Sequence, residues 1–204
     1  TAVFGSTFAK GNEDVIPVMS GESLRNGDPT LTFYDSITNT NASPATNLIS
    51  VVNLPTVGDA AGSEYTFKMS GAVNLPTTYQ TADGTVEMTD GQTLTAMYST
   101  QLADLVDGEP DLSSYVTADQ VTDWSAVRSI VFKVSSLPAS ATTGRIAIEG
   151  TTDNFAVNTP EPTQIGYLET GFSADNYNYS YADPSQNASI TIRNYVTPSA
   201  ELNS

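Results

Sequence analysis

Short segments with an apolar residue at every second position recur along the chain, each ended by a turn signal. Leu31, Phe33 and Ile37 share one parity, broken only by Asp35. Tyr65, Phe67 and Met69 form a second set, Leu94, Ala96 and Tyr98 a third, and Ile146 with Ile148 a fourth. A period of two belongs to a pleated strand with one buried face, and a helix cannot gather such residues onto one side. The interruptions are Asn26–Gly27, Asp83–Gly84, Asp90–Gly91, Pro55, Pro138 and Pro160. These residue types make turns or end strands. Roughly ten short strands follow from this pattern, which predicts an all-β, immunoglobulin-like antiparallel sandwich.

The strands are expected at Asp14–Met19, then at Thr30–Thr38, Thr46–Leu54 and Glu64–Ser70, these three read together as an antiparallel meander, and then at Leu94–Ser99. Ser129–Ser135 is the most apolar, and Gly144–Gly150, Gln164–Phe172 and Ser189–Val196 complete the set. One segment departs from the period. Thr117–Ala118–Asp119–Gln120 matches a capping box, and Ala118, Val121, Trp124 and Val127 recur at three-residue spacing. This predicts one short helical crossover near 118–127. The expected organisation is a lead-in strand and loop over 1–29, a sandwich over 30–197 with a possible subdivision near 103–113, and a linker over 198–204.

Composition narrows the function classes. The chain has 204 residues, a formal net charge of -16, no Cys and no His. Missing thiols and imidazoles exclude disulfides, zinc–thiolate sites and every imidazole-dependent triad. The acidic surface repels phosphate backbones and anionic lipid headgroups, so neither nucleic acid nor a membrane surface is an expected partner. No apolar run reaches the roughly 18 residues of a membrane span. A chain that is all-β, acidic and free of cysteine fits a secreted bacterial surface protein.

Two runs carry a family likeness. Residues 34–55, YDSITNTNASPATNLISVVNLP, resemble repeats of bacterial surface proteins in which a strand ending in TNTG turns into ATN, a hydrophobic strand and LP. Asn41 stands where that pattern has Gly. Residues 117–134, TADQVTDWSAVRSIVFKV, with GRIAI at 144–148 and GYLETGF at 166–172, resemble a companion pattern. The likeness is to large wall-anchored adhesins of lactobacilli and their relatives. It implies a β-sandwich module, attached to the cell wall and flanked by other domains, in proteins that adhere to mucus or host tissue. It brings no catalytic residues. Some Gram-positive stalk domains carry a Lys–Asn isopeptide bond; the lysines here are Lys10, Lys68 and Lys133. Lys68 has the parity opposite its strand's apolar set, and Lys133 opposes Ile130, Phe132 and Val134 though it shares parity with Val131. That parity argues against such a bond from Lys68 or Lys133, with Asn194 as the partner position.

The candidate ligand-binding residues are Asp175, Tyr177, Tyr179, Tyr181 and Asp183. Aromatic faces stack on sugar C–H surfaces while Asp and Asn bond the hydroxyls. The competing reading is that alternation turns all three tyrosines onto a core face. Asp83, Glu87 and Asp90, and the denser set Asp104, Asp107, Glu109 and Asp111, are calcium candidates, although their spacing is not that of an EF-hand loop. The default for both sets is solvated loop, so no cofactor is expected. The sequence thus reads as a non-catalytic adhesin module that recognises a host glycan or glycoprotein, or as a stalk segment that projects another module.

Overall fold

The computed structural model describes residues 5–9, 31–152, 164–175, 177–184 and 187–192, with backbone alone at 5–9, 191 and 192. A strand expected over Asp14–Met19, the Asn26–Gly27 turn, Lys10, Asn194 and the linker over 198–204 lie outside the described residues.

The strands run β1 (Gly5–Ala9), β2 (Leu31–Ile37), β3 (Ala45–Asn53), β4 (Lys68–Met69), β5 (Thr78–Thr81), β6 (Gly84–Glu87) and β7 (Leu94–Ser99). They continue with β8 (Ser129–Leu137), β9 (Thr142–Thr143), β10 (Ile146–Thr151), β11 (Gln164–Ala174), β12 (Tyr177–Tyr181) and β13 (Ala188–Ile192). One sheet has the order β1-β2-β10-β4. The second has the order β12-β11-β3-β8-β7, with β13 on the first half of β11, and a small third sheet is β6-β5-β9. All these pairings are antiparallel. The fold is an immunoglobulin-like β-sandwich, and it has more strands among the described residues than the ten expected.

The core lies between the two large sheets. Leu31, Phe33, Ile37, Ile146 and Ile148 come from the first, and Leu48, Val52, Ile130, Phe132, Val134 and Leu168 from the second. The parity read from the sequence is the parity that is buried. Asp35 follows it too and is 0% exposed. Tyr65, Phe67 and Met69 are buried as their alternation requires, yet only Lys68–Met69 of that stretch pairs as strand. Lys133 sits half-buried on the face of β8 away from this core, beside Val131.

Three local expectations are corrected. The meander is absent, because β2 and β3 belong to different sheets: β2 pairs with β1 and β10, whereas β3 pairs with β8 and β11. Both are two-sidedly paired interior strands, and only the inter-sheet crossing gives each the partners it needs. The helical crossover near 118–127 is two separate 3-10 turns, Ala118–Gln120 and Trp124–Ala126. Thr117 and Gln120 do form the capping box. Val121 then adopts an extended conformation, and the Asp123 carboxylate restarts the chain by accepting from the Ser125 amide. β-Branched Val121 and Thr122, followed by a self-capping Asp, favour that break over a continuous helix. Trp124 meets Tyr98 edge-on at 4.7 Å.

The third concerns the turn 38–45, whose Asn and small residue, in the surface-protein pattern it resembles, are expected where the backbone needs positive φ. Neither Asn39 nor Asn41 takes positive φ; among the described residues the non-glycine positions with positive φ are Asn47 and Ser140. Asn39 instead acts through its side chain. Its Nδ2 donates to the carbonyls of Ser43 (2.9 Å), Leu137 (3.0 Å) and Pro138 (3.2 Å), and its Oδ1 accepts from the Asn41 amide (3.0 Å). One side chain thereby fastens the β2–β3 turn to the end of β8.

Candidate functional site

β12 is an edge strand, and its register with β11 decides what its tyrosines do. Phe172 pairs with Ser180 and Ala174 with Tyr177. Between those pairs β11 has one residue and β12 two, which is a β-bulge. A bulge resets the alternation of side chains. Tyr177 therefore falls on the core side, its ring 5.8 Å from that of Phe172. Tyr179 and Tyr181 fall on the outer side.

The outer face of this sheet carries a second, smaller core. Val51 and Val131 are buried there together with Leu105 and Tyr115, and Ile49, Met97, Ala103 and Leu112 pack around them. The cover is the long connection between β7 and β8, the same acidic segment that the sequence offered as a domain boundary. It is tied down at several points. Asn53 Nδ2 donates to the Ala103 carbonyl and its Oδ1 accepts from the Ala103 amide, both at 2.8 Å. Tyr115 and Ser129 share a hydroxyl bond of 2.6 Å. Tyr98 and Val116 exchange two main-chain bonds of 2.8 Å. Ser173 Oγ donates to Glu109 at 3.0 Å.

Tyr179 supplies the remaining tie. Its hydroxyl donates to the Leu105 carbonyl at 2.6 Å. The ring crosses β11 directly over Gly171, where a Cβ would touch its hydroxyl. Glycine at 171 thus gives the ring room to reach the loop. Burial, then the charges of Asp104 and Glu109, push the phenol up to about 12. Removing the hydroxyl tests the tie. Tyr179→Phe is expected to lower stability by only about 1 kcal/mol, the ordinary net worth of one hydrogen bond. Amide hydrogen exchange over 103–113 should accelerate while the sandwich strands keep their protection.

The loop encloses a concavity of about 380 Å³ lined by Gln101–Asp104, Asp107–Asp111 and Ser113–Tyr115. Its carboxylates differ in setting. Amides of Asp107 and Val106 hold Asp104 below the usual carboxylate range, while Asp107 is raised by its hydrogen bond to Asp104 and by that residue's charge. The Ser113 amide and hydroxyl lower Asp111. Among the described residues, no three acidic side chains converge as a metal ion requires. Asp83, Glu87 and Asp90 line the exposed β5–β6 hairpin and the turn after it.

The five candidate residues thus separate. The Asp175 carboxylate accepts from Thr46 Oγ1 at 3.0 Å and Asn47 Nδ2 at 2.7 Å, clasping the end of β11 to the start of β3. Tyr177 packs on the core and Tyr179 holds the loop. Tyr181, 42% exposed, and Asp183 lie at the surface. Sequence reasoning did not find Leu105, Asn53 or Tyr115 as partners of this region. Their contacts join residues far apart in the chain, and no local pattern encodes them.

Glu169 stands on the same outer face, opposite Asn53. Burial, and then the Asp59 carboxylate, raise its pKa, with a hydrogen bond from Asn53 opposing them. The native state therefore binds this proton more tightly than the unfolded chain. Its contribution to stability is lost as pH rises through the folded-state pKa. Glu169→Gln is expected to raise Tm by about 1–3 °C at neutral pH, a modest figure because solvent screens a half-exposed group. The gain should vanish below the carboxylate range, and melts at the two pH values decide it.

No protein-family model and no curated protein matches the sequence. Solved structures do share its outline. The collagen-binding subdomain of the Enterococcus faecalis surface protein ACE superimposes with a TM-score of 0.37 at 10% identity, over 81% of this chain and 88% of that one. The collagen-binding domain of a Staphylococcus aureus adhesin gives 0.35 at 10%, over 95% and 99%. A cohesin module from a Clostridium perfringens family 33 glycoside hydrolase gives 0.35 at 9%, over 96% and 98%. At such scores none of them argues for a ligand.

Proposed function

We propose that this chain is a non-catalytic recognition module of a bacterial cell-surface adhesin, exposed outside the cell on a wall-attached protein and binding a host glycoprotein or glycan. One observation carries the reading. The connection between β7 and β8 is long, irregular and acidic, yet it is fastened to the sheet by Asn53, Tyr115, Ser173 and Tyr179. A long loop held in one shape on a rigid scaffold suits recognition better than linkage. The resemblance of residues 34–55, 117–134, 144–148 and 166–172 to wall-anchored adhesins supports the surface location, and the lack of His and Cys supports a non-catalytic role.

Binding of the folded module to a glycan array and to surfaces coated with mucin or matrix proteins tests this. Saturable binding is expected, weakened by Tyr181→Ala without loss of fold. Blank arrays and blank coated surfaces would sink the proposal. They would leave the stalk reading, which has its own support: Asp175 and Tyr177 serve the fold.

A further inference from the structure

We propose that the open edge of β12 takes up an extended lysine- or arginine-bearing segment of a partner protein as an added strand, with the neighbouring loop carboxylates receiving its cations. The proposal rests on the recognition role above and specifies the partner's chemistry.

The first support is the edge. β12 ends the order β12-β11-β3-β8-β7. The Ala182 amide donates to the Thr170 carbonyl at 2.9 Å, and Ser180 is paired with Phe172. Alternation between these two bonded positions turns the main-chain groups of Tyr181 away from β11. Among the described residues, no main-chain hydrogen bond reaches them from that side. Unpaired edge groups of this kind are a template for a further strand.

The second support is charge. Glu109 is held over β11 by Ser173, and the Tyr179 hydroxyl fixes Leu105, between Asp104 and Asp107, beside the strand. Asp175 precedes β12 and Asp183 follows it, both exposed. The described basic residues are elsewhere. Lys133 is on β8, three strands in from β12, and Lys68 is on β4 of the other sheet. Arg145 lies over Tyr34 on β2, and Arg128 bonds Thr56, Phe67 and Ser125. Exposed Tyr181 and Val106, at 42% and 61%, add surface on which the stems of lysine or arginine can lie.

Charge also selects the occupant. A second copy carries the same net charge of -16 and is repelled. A neutral glycan leaves the carboxylates without counter-charge. A short basic peptide satisfies both the edge and the field, and the bulge at 178–179 limits how long the added strand is.

The probe is a peptide of about ten residues alternating Lys and Thr, enough for one strand. Its controls are the Glu–Thr counterpart and a Lys–Thr peptide N-methylated at alternate residues. Calorimetry and amide chemical shifts are read at low and high salt. The Lys–Thr peptide is expected to bind, to shift the amides of 179–182 and to weaken in salt. N-methylation should cost at least about tenfold, because it removes the strand's donors while keeping every charge. Tyr181→Pro should cost a similar factor with little change in melting, since that N–H faces away from β11. Equal binding of the N-methylated peptide would overturn the proposal by showing ion exchange on the loop. If Tyr181→Pro does not fold, the N-methylated peptide decides alone. Failure of the Lys–Thr peptide while the module binds mucin or matrix protein sinks only this inference; failure of both sinks the recognition role as well.

Discussion

Replacing Asn39 by Ala is expected to lower the stability of the sandwich by about 3–4 kcal/mol, from buried polar groups that each cost about 1–3 kcal/mol when left unpaired. The side chain is 0% exposed and makes four hydrogen bonds. The Leu137 carbonyl is buried at its bond to Asn39 and would lose that donor. The Asn39 amide keeps its bond to the Ala141 carbonyl, so the strand end should fray rather than detach. Asn39→Asp sharpens the test at nearly constant volume. A carboxylate offers three carbonyls no donor and repels them, so at neutral pH the loss should equal or exceed that of alanine. The introduced carboxyl would be more basic in the folded state than in the unfolded chain. The variant should therefore regain stability as pH falls through that raised value. Denaturant unfolding at neutral and acidic pH measures both effects. A variant within about 0.5 kcal/mol of the parent, the usual range for a harmless surface change, would contradict this account.

Gly150→Ala is expected to cost about 3 kcal/mol, at the upper end of overpacking penalties. Gly150 pairs with Leu31 on one side and Met69 on the other. A Cβ there would run into the Lys68 carbonyl and stand 2.7 Å from the Phe67 ring. Neither neighbour can yield easily. The carbonyl belongs to β4, two residues long, and Phe67 is buried edge-on against Phe33 at 5.4 Å. The first consequence should be loss of β4 from its sheet. Combining the change with Phe67→Leu frees space on one side, and the pair should therefore be less destabilising than the sum of the singles. A double-mutant cycle measures that coupling. Strict additivity would mean that the carbonyl contact alone sets the cost.

The period-two pattern carried most of the strand positions because a half-buried strand needs it, whatever its partners. It worked for β2, β7 and β10, whereas β3 and β8 were read as apolar runs and bury residues on both faces. It was silent on pairing. Nothing local distinguishes β3 following β2 in a hairpin from β3 crossing to the other sheet, since both bury the same residues. The helix failed for a related reason. The capping box was real, but Val121 turned extended after one turn and the Asp123 carboxylate, bonded to the Ser125 amide, started a separate one. In the aromatic run the alternation breaks, because one extra residue in β12 separates Tyr177 from Tyr179 and Tyr181, and a bulge has no signature in the side chains that flank it.

What the sequence determined by itself is the class of fold and the sign of the surface. Alternation forces strands to bury one face, and the excess of Asp and Glu over Lys and Arg holds however the chain is folded. What only the tertiary structure decided is where the acidic segment lies and which tyrosines remain free. Packing of Val51 and Val131 under Leu105 and Tyr115, with Tyr179 reaching across Gly171, lays that segment on the sheet. These contacts join residues distant in sequence, and their free energy exists only once both sides of the contact are in place.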